Sequence, residues 1–460
     1  MIEWFVALLV IGLVWLVMRA RRQKSVSEGF LNQAMLTDPQ YRGDGVHAFN
    51  ERLHRDYPKM PIIKLSGDEE DVFIVHSFAA CKKIMADHLN FSSNPFKHDR
   101  LIALNTMSRE NHDRIIRHIK NGYTQRKAED VALVIEKIVE TRGAELLVDG
   151  DVFKWSRRVH MEISLFNSGL GELDDPLVDR FIAFNDAAVR LMAPLGGIGL
   201  VPRPGNFFSV IYYCLASIPN VITLISKLGF INTFRLLRPD LVFPGKRPYS
   251  HVFDYPELLP LMPEYFSLLF DRLKIARAES PAGCLWLAVQ EGGVSSAEAV
   301  AVAVQLMVNM TTANALMNLI DRISINQDLV KSGITRGLIN ESLRLDAALQ
   351  RNPRRCLNAC EIGEFKIPAN SLVLLFLGAA NVDPDVYQNP SNFQVDRDSS
   401  SLTFGFGIHA CLGRYLVFEE LEIATRWFLS QNLHLKKIKC RERLVDVDVG
   451  NFGFSKYILA

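Results

Sequence analysis

The hydrophobic pattern at the start of the chain differs from everything that follows it. Residues 4–18, WFVALLVIGLVWLVM, carry no charge, and the basic cluster RARRQK follows at once. Such a run is at the short end for a bilayer span. A signal peptide would instead carry its basic residues before the apolar run and small residues at its cleavage site. Residues 1–23 are therefore predicted to form a transmembrane anchor, with residues 24–460 on the basic, cytoplasmic side.

Shorter patterns after the anchor predict a body of helices with a few strands. Residues 60–77 contain two strand-like runs, MPIIKLSG and DVFIVHS, which meet at GDEE and predict a β-hairpin. Residues 364–378 contain further short strands. A helical pattern of apolar and basic faces covers residues 111–140, and two more helices are predicted at 337–345 and 412–429.

Two internal stretches are strongly apolar. Residues 206–231 carry almost no charge, but Pro219 and scattered polar residues favour a buried or membrane-dipping helical pair over a second membrane span. Further along, Ser295 and Glu298 have the spacing of a capping box, which marks a helix start. The helix that follows is apolar nearly all round, so it is expected to cross the core.

Three polar residues, Asn309, Thr311 and Thr312, stand together inside this apolar helix. In an ordinary helix, such side chains bond back to the preceding turn. Their grouping in the most buried helix makes them candidate catalytic residues.

Composition narrows the class of partner and the compartment. The chain has 460 residues, is 48% hydrophobic and has a formal net charge of +1. Nucleic-acid binding requires a clustered positive surface, so nucleic acid is not an expected partner. The seven cysteines are odd in number and widely spread, which favours a reduced, cytosol-facing body over a disulfide framework.

The most informative local pattern is FGFGIHACLG at residues 404–413, which surrounds Cys411 with glycines. Glycine permits the positive φ of a tight turn and the close approach of a flat ligand. Because the loop leads into a helix, backbone N–H groups are expected to point at the sulfur and favour its thiolate. His409 is near enough to act as a base. On these residues alone, a cysteine hydrolase, a buried structural cysteine and a haem ligand all remain open.

The loop closely resembles the haem-binding loop of the cytochrome P450 family. Glu341 and Arg344 resemble the family's E-x-x-R pair, which helical spacing places on one face, and Arg397 resembles the arginine that completes its Glu-Arg-Arg cluster. The matching positions of the loop are Phe404, Gly405, Gly407, His409, Cys411, Leu412 and Gly413.

This resemblance implies the P450 fold, which is mainly α with a smaller β-rich lobe (α+β). It also implies haem b, that is protohaem IX, with the Cys411 thiolate as axial iron ligand. His409 and Arg354 match positions that meet the haem propionates. Glu341, Arg344 and Arg397 are implied to be a structural brace under the haem.

The segment ENHDRIIRHIKN resembles the family helix that packs along one haem edge. Its likeness implies His112 and Arg117 as further haem contacts. The neighbouring basic residues are expected to form a solvated face, which could receive an acidic redox partner by electrostatic steering. These residues are Arg114, Lys120, Arg126 and Lys127.

The chain departs from the family pattern in its long helix. The family usually has a glycine and an acid before the threonine that corresponds to Thr311, and here Val308 and Met310 occupy those places. In the usual mechanism the acid and the alcohol deliver protons during oxygen activation. Asn309, Thr311, Thr312 or water would have to deliver them here.

These features predict a membrane-anchored haem-thiolate monooxygenase that uses dioxygen and electrons from a separate reductase, either NADPH–cytochrome P450 reductase or a ferredoxin. If the source is eukaryotic, the membrane is expected to be the endoplasmic reticulum. Met310 favours the alternative of a P450-fold isomerase, dehydratase, rearrangement enzyme or peroxide-driven oxidase. A non-catalytic haem protein is a third and weaker hypothesis.

The expected substrate is apolar: lipid-like, terpenoid, polyketide or aromatic, with a role in secondary metabolism. Its pocket is predicted to be formed by residues 91–107, 306–311, 349–352 and 450–455.

Overall fold

The computed structural model describes residues 45–58, 60–65, 72–94, 107, 109–192, 207–237, 259–307, 310–397, 400–446 and 451–460. The predicted anchor at residues 1–23, the candidate residue Asn309 and the position of Val308 lie outside this part of the chain. The division into an anchor and a haem domain therefore stays a prediction.

Helices form most of the described structure, as expected for a mainly α protein. The α-helices, numbered here in chain order, are α1 Gly45–Asp56, α2 Phe78–Ala86, α3 Arg109–Ile119, α4 Gln125–Asp130, α5 Ala132–Asp149, α6 Val152–Ser168, α7 Val178–Met192, α8 Phe207–Leu228, α9 Phe230–Leu237, α10 Leu261–Lys274, α11 Pro281–Gln290, α12 Ser296–Leu306, α13 Met310–Ile325, α14 Arg336–Leu345, α15 Leu377–Ala380 and α16 Arg414–Ser430.

The strands form a smaller β-rich region. They are β1 Ile62–Leu65, β2 Val72–Val75, β3 Phe91–Ser92, β4 Arg351–Cys356, β5 Cys360–Ile362, β6 Phe365–Ile367, β7 Leu372–Phe376, β8 Ile438–Asp446 and β9 Asn451–Leu459. A five-stranded mixed sheet has the order β1-β2-β7-β4-β3, and two hairpins, β5-β6 and β8-β9, stand beside it. The antiparallel pairing of β1 with β2 confirms the predicted hairpin. The β8-β9 hairpin was not predicted from the sequence.

The long apolar segment lies in the core, as predicted. Ser295 and Glu298 form the reciprocal capping box at the start of α12, and α12 is almost entirely buried. α12 ends at Leu306, and α13 begins at Met310. The Met307 carbonyl, at the end of α12, accepts a hydrogen bond of 2.8 Å from the side-chain amide of Asn185 in α7. This hydrogen bond satisfies a carbonyl at the helix end that has no partner within the helix.

The charge-poor segment at residues 206–231 forms helices, but the expected break at Pro219 is wrong. Pro219 lies inside the continuous helix α8, and the chain turns instead at Gly229, where φ is +78° and a side chain would be strained. Two helical stretches in the described part of the chain are long and apolar enough to cross a membrane, one in α8 and one through α12 and α13. The second is mostly buried in the core, whereas little of the α8 stretch is buried.

The helices that frame the candidate site come from distant parts of the sequence. α6 packs against α5 and α13, and α16 packs against α5 and α13. Because α16 directly follows the glycine loop, this packing fixes where the loop and Cys411 lie in the fold.

Candidate functional site

The glycine loop folds into a tight turn that depends on glycine at two positions. Gly405 and Gly407 have φ values of +70° and +76°, which residues with a Cβ rarely adopt. A Cβ on Gly407 would also lie 2.9 Å from the backbone oxygen of Met85 in α2. The Cys411 amide donates a 2.8 Å hydrogen bond to the Phe404 carbonyl, which closes the loop on itself.

Cys411 lies between this turn and the start of α16. Its sulfur accepts hydrogen bonds from the backbone N–H groups of Gly413 and Arg414, as the placement before a helix predicts. Burial nevertheless raises the pKa of the Cys411 thiol above its ordinary value, and the two donors and the Arg414 charge only partly offset that effect. The part of Cys411 that remains accessible lines a cavity.

The cavity has a volume of about 490 Å³, within the usual range for cofactor and ligand sites. It brings the loop together with the candidate residues of the long helix, Thr311 and Thr312. Much of the remaining wall is apolar. These apolar residues include Ile116, Ile119, Val302, Val304, Leu306, Ala315, Leu343, Ala348, Leu349, Pro353, Leu377, Phe404, Leu412, Leu416 and Val417.

One edge of the cavity carries nitrogen donors. The rings of His112 and His409 meet edge to face with centroids 4.5 Å apart, and Nε2 of His409 lies 3.1 Å from the Ser93 hydroxyl. His409 Nδ1 is buried without a hydrogen-bond partner among the described residues. Burial, with the nearby His112 and Arg354, lowers the pKa of His409 to about 3.

Arg354 lies beside this edge but does not line the cavity itself. Its guanidinium donates to the Asn352 side chain and the Pro353 carbonyl, and burial lowers its pKa to about 10. The described residues supply no carboxylate partner for it. A buried guanidinium without an acid favours an anionic group nearby.

Glu341, Arg344 and Arg397 form one buried ion-paired cluster. Glu341 Oε1 is 2.7 Å from Arg344 Nη2 and 3.1 Å from Arg397 Nε, and it also accepts from the Gln394 amide. Burial alone would raise the pKa of Glu341, but these donors, led by Arg344, lower it below its ordinary value. Arg344 also donates to the Asn381 carbonyl, so the cluster ties α14 to the segments on either side of residue 390.

The similarity to known proteins falls on the part of the chain that contains the candidate site. The family model described as cytochrome P450 matches residues 313–442, the region that contains the brace, the glycine loop and all of α16. This part of the chain is similar to the cytochrome P450 family.

Individual cytochrome P450 proteins are also similar to parts of the chain. Cytochrome P450 107B1 from Saccharopolyspora erythraea is 30% identical over 180 residues, which are 37% of this chain and 44% of that protein. The 6-deoxyerythronolide B hydroxylase of the same organism is 43% identical over 89 residues, or 19% of this chain and 22% of the relative. The alignments thus span less than half of the relatives' own lengths.

The fold similarity extends further than the sequence similarity. The structure of a P450 from Picrophilus torridus bound to 4-phenylimidazole has a TM-score of 0.64 and 20% identity, over 86% of this chain and 99% of that one. At this identity the comparison establishes the P450 fold alone.

The residues around Cys411 are chemically suited to the haem that the P450 family implies. The described residues contain no group of three His, Cys, Asp or Glu side chains placed to hold a metal ion. A metal at the Cys411 sulfur would therefore have to bring its other ligands, as a haem does. The partnerless Nδ1 of His409 and the buried guanidinium of Arg354 are suited to the negative charge of haem carboxylates.

Three sequence predictions differ from the placement of the side chains in the structure. Arg117 is exposed and does not line the cavity, because helical spacing puts it on the other side of α3 from His112 and Ile116. Arg114 is not simply solvated, since it pairs at 2.5 Å with Glu298. The described residues of the predicted pocket wall at 450–455 do not line this cavity, and Phe452 and Phe454 are buried in the core.

The sequence analysis missed a polar stripe on α6. His160, Ser164 and Asn167 all line the cavity, with Glu420 of α16 beside them. Their spacing of four and then three residues in a buried helix was a readable signal, because it places all three on one face. The contact with Glu420 had no local signal.

Proposed function

We propose that this protein is a haem-thiolate monooxygenase that inserts one oxygen atom of dioxygen into an apolar small molecule. The observation that carries the proposal is the placement of Cys411. Its loop presents a single sulfur to the same cavity that the Thr311 and Thr312 hydroxyls line. A hydrolase reading of Cys411 is disfavoured because His409 directs Nε2 to Ser93 and burial disfavours the thiolate.

Each group of residues has a part in this activity. A bound haem would supply the redox chemistry that activates dioxygen, with Cys411 as its protein ligand. Arg354 would hold its carboxylates by charge, and His409 and His112 would do so by hydrogen bonding. The Thr311 and Thr312 hydroxyls move protons within the cavity, and the apolar walls bind the substrate and exclude water.

The substrate is proposed to be a lipid-like, terpenoid, polyketide or aromatic molecule of secondary metabolism. The apolar cavity wall supports this class. The name of one relative, a 6-deoxyerythronolide B hydroxylase, agrees with hydroxylation as the reaction.

Electrons are proposed to come from a separate partner, NADPH–cytochrome P450 reductase or a ferredoxin. Arg117, Lys120, Arg126 and Lys127 are all exposed, around the turn that carries Tyr123 into the cavity wall. An acidic partner would be steered to such a face, so the rate of reduction should fall as ionic strength rises.

We also propose membrane attachment with the catalytic body on the cytoplasmic side. The apolar run at residues 4–18 supports it, together with a second apolar surface on α8 and α9. That surface exposes Tyr212, Leu215, Ile222, Phe230, Ile231 and Phe234. Exposed apolar patches of this kind mark lipid or protein contacts. Deletion of residues 1–23 should weaken membrane attachment, so that a smaller share of the protein stays in the membrane fraction, and an unchanged share would contradict the anchor.

A second candidate function is P450-fold chemistry without an external reductase, such as isomerisation, dehydration, rearrangement or peroxide-driven oxidation. Met310 supports it, because a thioether stands where the family usually has a proton-donating acid.

The first test is a spectrum of purified full-length protein expressed with a haem supply, reduced and treated with carbon monoxide. A red-shifted thiolate band with reductase-dependent oxygen uptake supports the monooxygenase. The same band with activity only on peroxide or oxygenated substrates favours the second function. Cys411→Ser should abolish the band, and an unchanged band would refute the ligand assignment.

A further inference from the structure

A buried acid–base chain lies in the cavity wall outside the residues discussed so far. His160 Nδ1 is 2.8 Å from Glu420 Oε2, and His160 Nε2 is 3.3 Å from the Ser164 hydroxyl. Glu420 is completely inaccessible to solvent, and His160 and Ser164 are 5% and 7% exposed. All three line the cavity that also contains Thr311 and Thr312.

Glu420 has a special position among the lining residues. It is the only carboxylic acid among the described residues of the cavity wall. Its second oxygen, Oε1, is buried without a hydrogen-bond partner in the described part of the chain. The other titratable side chains of that wall are His112, Tyr123, His160, Arg351, His409 and Cys411.

The contacts between His160, Glu420 and Ser164 cost desolvation free energy, and joining α6 to α16 does not require them. Burying a carboxylate and an imidazole requires desolvation that a well-packed apolar pair at the α6–α16 contact would avoid. The three residues are also unsuited to act as a hydrolytic triad. Ser164 lies inside α6, where the backbone N–H groups are used in helical hydrogen bonds and cannot stabilise an oxyanion.

The proposed reaction needs a proton source that the long helix lacks. Thr311 and Thr312 can pass protons on, but Met310 cannot supply them. A histidine between a carboxylate and a hydroxyl can, because the carboxylate stabilises the imidazolium and the hydroxyl carries the proton onward.

We propose that His160, oriented and stabilised in its charged form by Glu420, feeds protons through Ser164 into the cavity during oxygenation. This inference rests on the proposed monooxygenase function. The proton on His160 Nε2 passes to Ser164 Oγ while the serine hydroxyl releases its own proton to the cavity. His160 becomes neutral and is recharged by a proton from solvent water. A C–H substrate and dioxygen, with a pair of electrons from the reductase and a pair of these protons, yield an alcohol and water.

The test compares two routes to product in the haem-loaded, full-length protein. His160→Gln and Ser164→Ala should lower product formed with dioxygen and reductase by about 100-fold, the size of a lost acid–base group, with the consumed oxygen released as hydrogen peroxide. Product formed with added hydrogen peroxide, which already carries its protons, should stay within about twofold of the unsubstituted protein. Equal losses on both routes would overturn the proposal and assign the chain a structural role.

His47→Gln is the matched control. His47 Nε2 pairs with Asp346 Oδ1 at 3.1 Å, so it is also a histidine–carboxylate pair, but neither residue lines the cavity. Its yield per oxygen consumed should be unchanged. A loss like that of His160→Gln would overturn the proposal.

A measurement without haem keeps the inference separate from the proposed function. In protein labelled with nitrogen-15 histidine and expressed without added haem, one imidazolium signal should vanish in His160→Gln and become neutral in Glu420→Gln. A neutral His160 near pH 7 in the unsubstituted protein would overturn the relay. If the imidazolium is present but no variant shows a thiolate band or oxygen uptake, the monooxygenase function fails instead. Tightly coupled oxygenation in His160→Gln would overturn the relay and leave the function intact.

Discussion

The buried Glu341 cluster offers the sharpest test of how this fold is held together. Glu341 accepts hydrogen bonds from Arg344 Nε at 2.8 Å and Nη2 at 2.7 Å, from Arg397 at 3.1 Å and from the Gln394 amide at 3.0 Å. Arg344→Met removes the first two donors and also the donor to the Asn381 carbonyl. The carboxylate then stays buried with half of its donors.

The expected loss of stability follows from these contacts. Breaking a buried ion pair by removing one partner costs about 3–5 kcal/mol. The remaining Arg397 reduces that figure, and the orphaned Asn381 carbonyl adds about 1–3 kcal/mol. We therefore expect Arg344→Met to lower the free energy of unfolding by about 4 kcal/mol, measured by urea denaturation followed by circular dichroism.

The control is Arg426→Met, which breaks a pair of 2.6 Å on α16 between the mostly exposed Arg426 and Glu422, a carboxylate that keeps Arg336 Nε at 3.6 Å. Pairs with an exposed partner contribute about 0–1 kcal/mol. The free energy of unfolding of this variant should therefore be close to that of the unsubstituted protein. If Arg344→Met unfolds too readily to purify, Arg344→Lys keeps the charge without the fork of donors and should give an intermediate loss. The reasoning is refuted if Arg344→Met and Arg426→Met cost the same.

The same cluster predicts a pH dependence. Because the folded protein lowers the pKa of Glu341, its ionised form stabilises the fold above the ordinary carboxyl range. That contribution is lost as the pH falls through the lowered value. Arg344→Met should therefore lose less stability on acidification than the unsubstituted protein does. A steeper loss in the variant would contradict the assignment of Arg344 as the main donor.

Four further predictions concern other parts of the site and the fold. Gly407→Ala should cost about 1–3 kcal/mol because of its positive φ, plus the clash with the Met85 carbonyl. Gly363 has φ +62° and open space around it, so Gly363→Ala should lose only the stability that the backbone strain costs. If both variants lose the same stability, the clash with the Met85 carbonyl contributes nothing. Thr311→Ala should release more hydrogen peroxide per oxygen consumed; unchanged coupling would remove Thr311 from the proton path. Met310→Glu should raise coupling if the missing acid limits proton delivery, and no change would favour another source. Burial lowers the pKa of His76 to about 4, so stability should fall by about 3 kcal/mol from pH 6.5 to 4 as only the unfolded chain binds the proton. His76→Gln should flatten that slope in urea titrations, and an unchanged slope would assign it to other groups.

Local features of the site were readable from the sequence because their partners lie within a few residues. Helical spacing places Glu341 and Arg344 side by side, and the capping box of Ser295 and Glu298 needs only one turn of helix. The turn around Cys411 follows from glycines that tolerate positive φ. Such patterns determine conformation through the backbone itself, whatever packs around them.

Tertiary structure alone decided which faces and which distant residues meet in the cavity. The His112–His409 ring contact and the His160–Glu420 bond join residues more than 250 positions apart, and no spacing rule reaches that far. Arg117 belongs to the same basic helix as His112, yet α3 turns it to solvent because only one face of a helix can pack against the core. The sequence by itself determined the loop, the brace pair and the family resemblance, while packing between α6 and α16 decided that His160 meets Glu420.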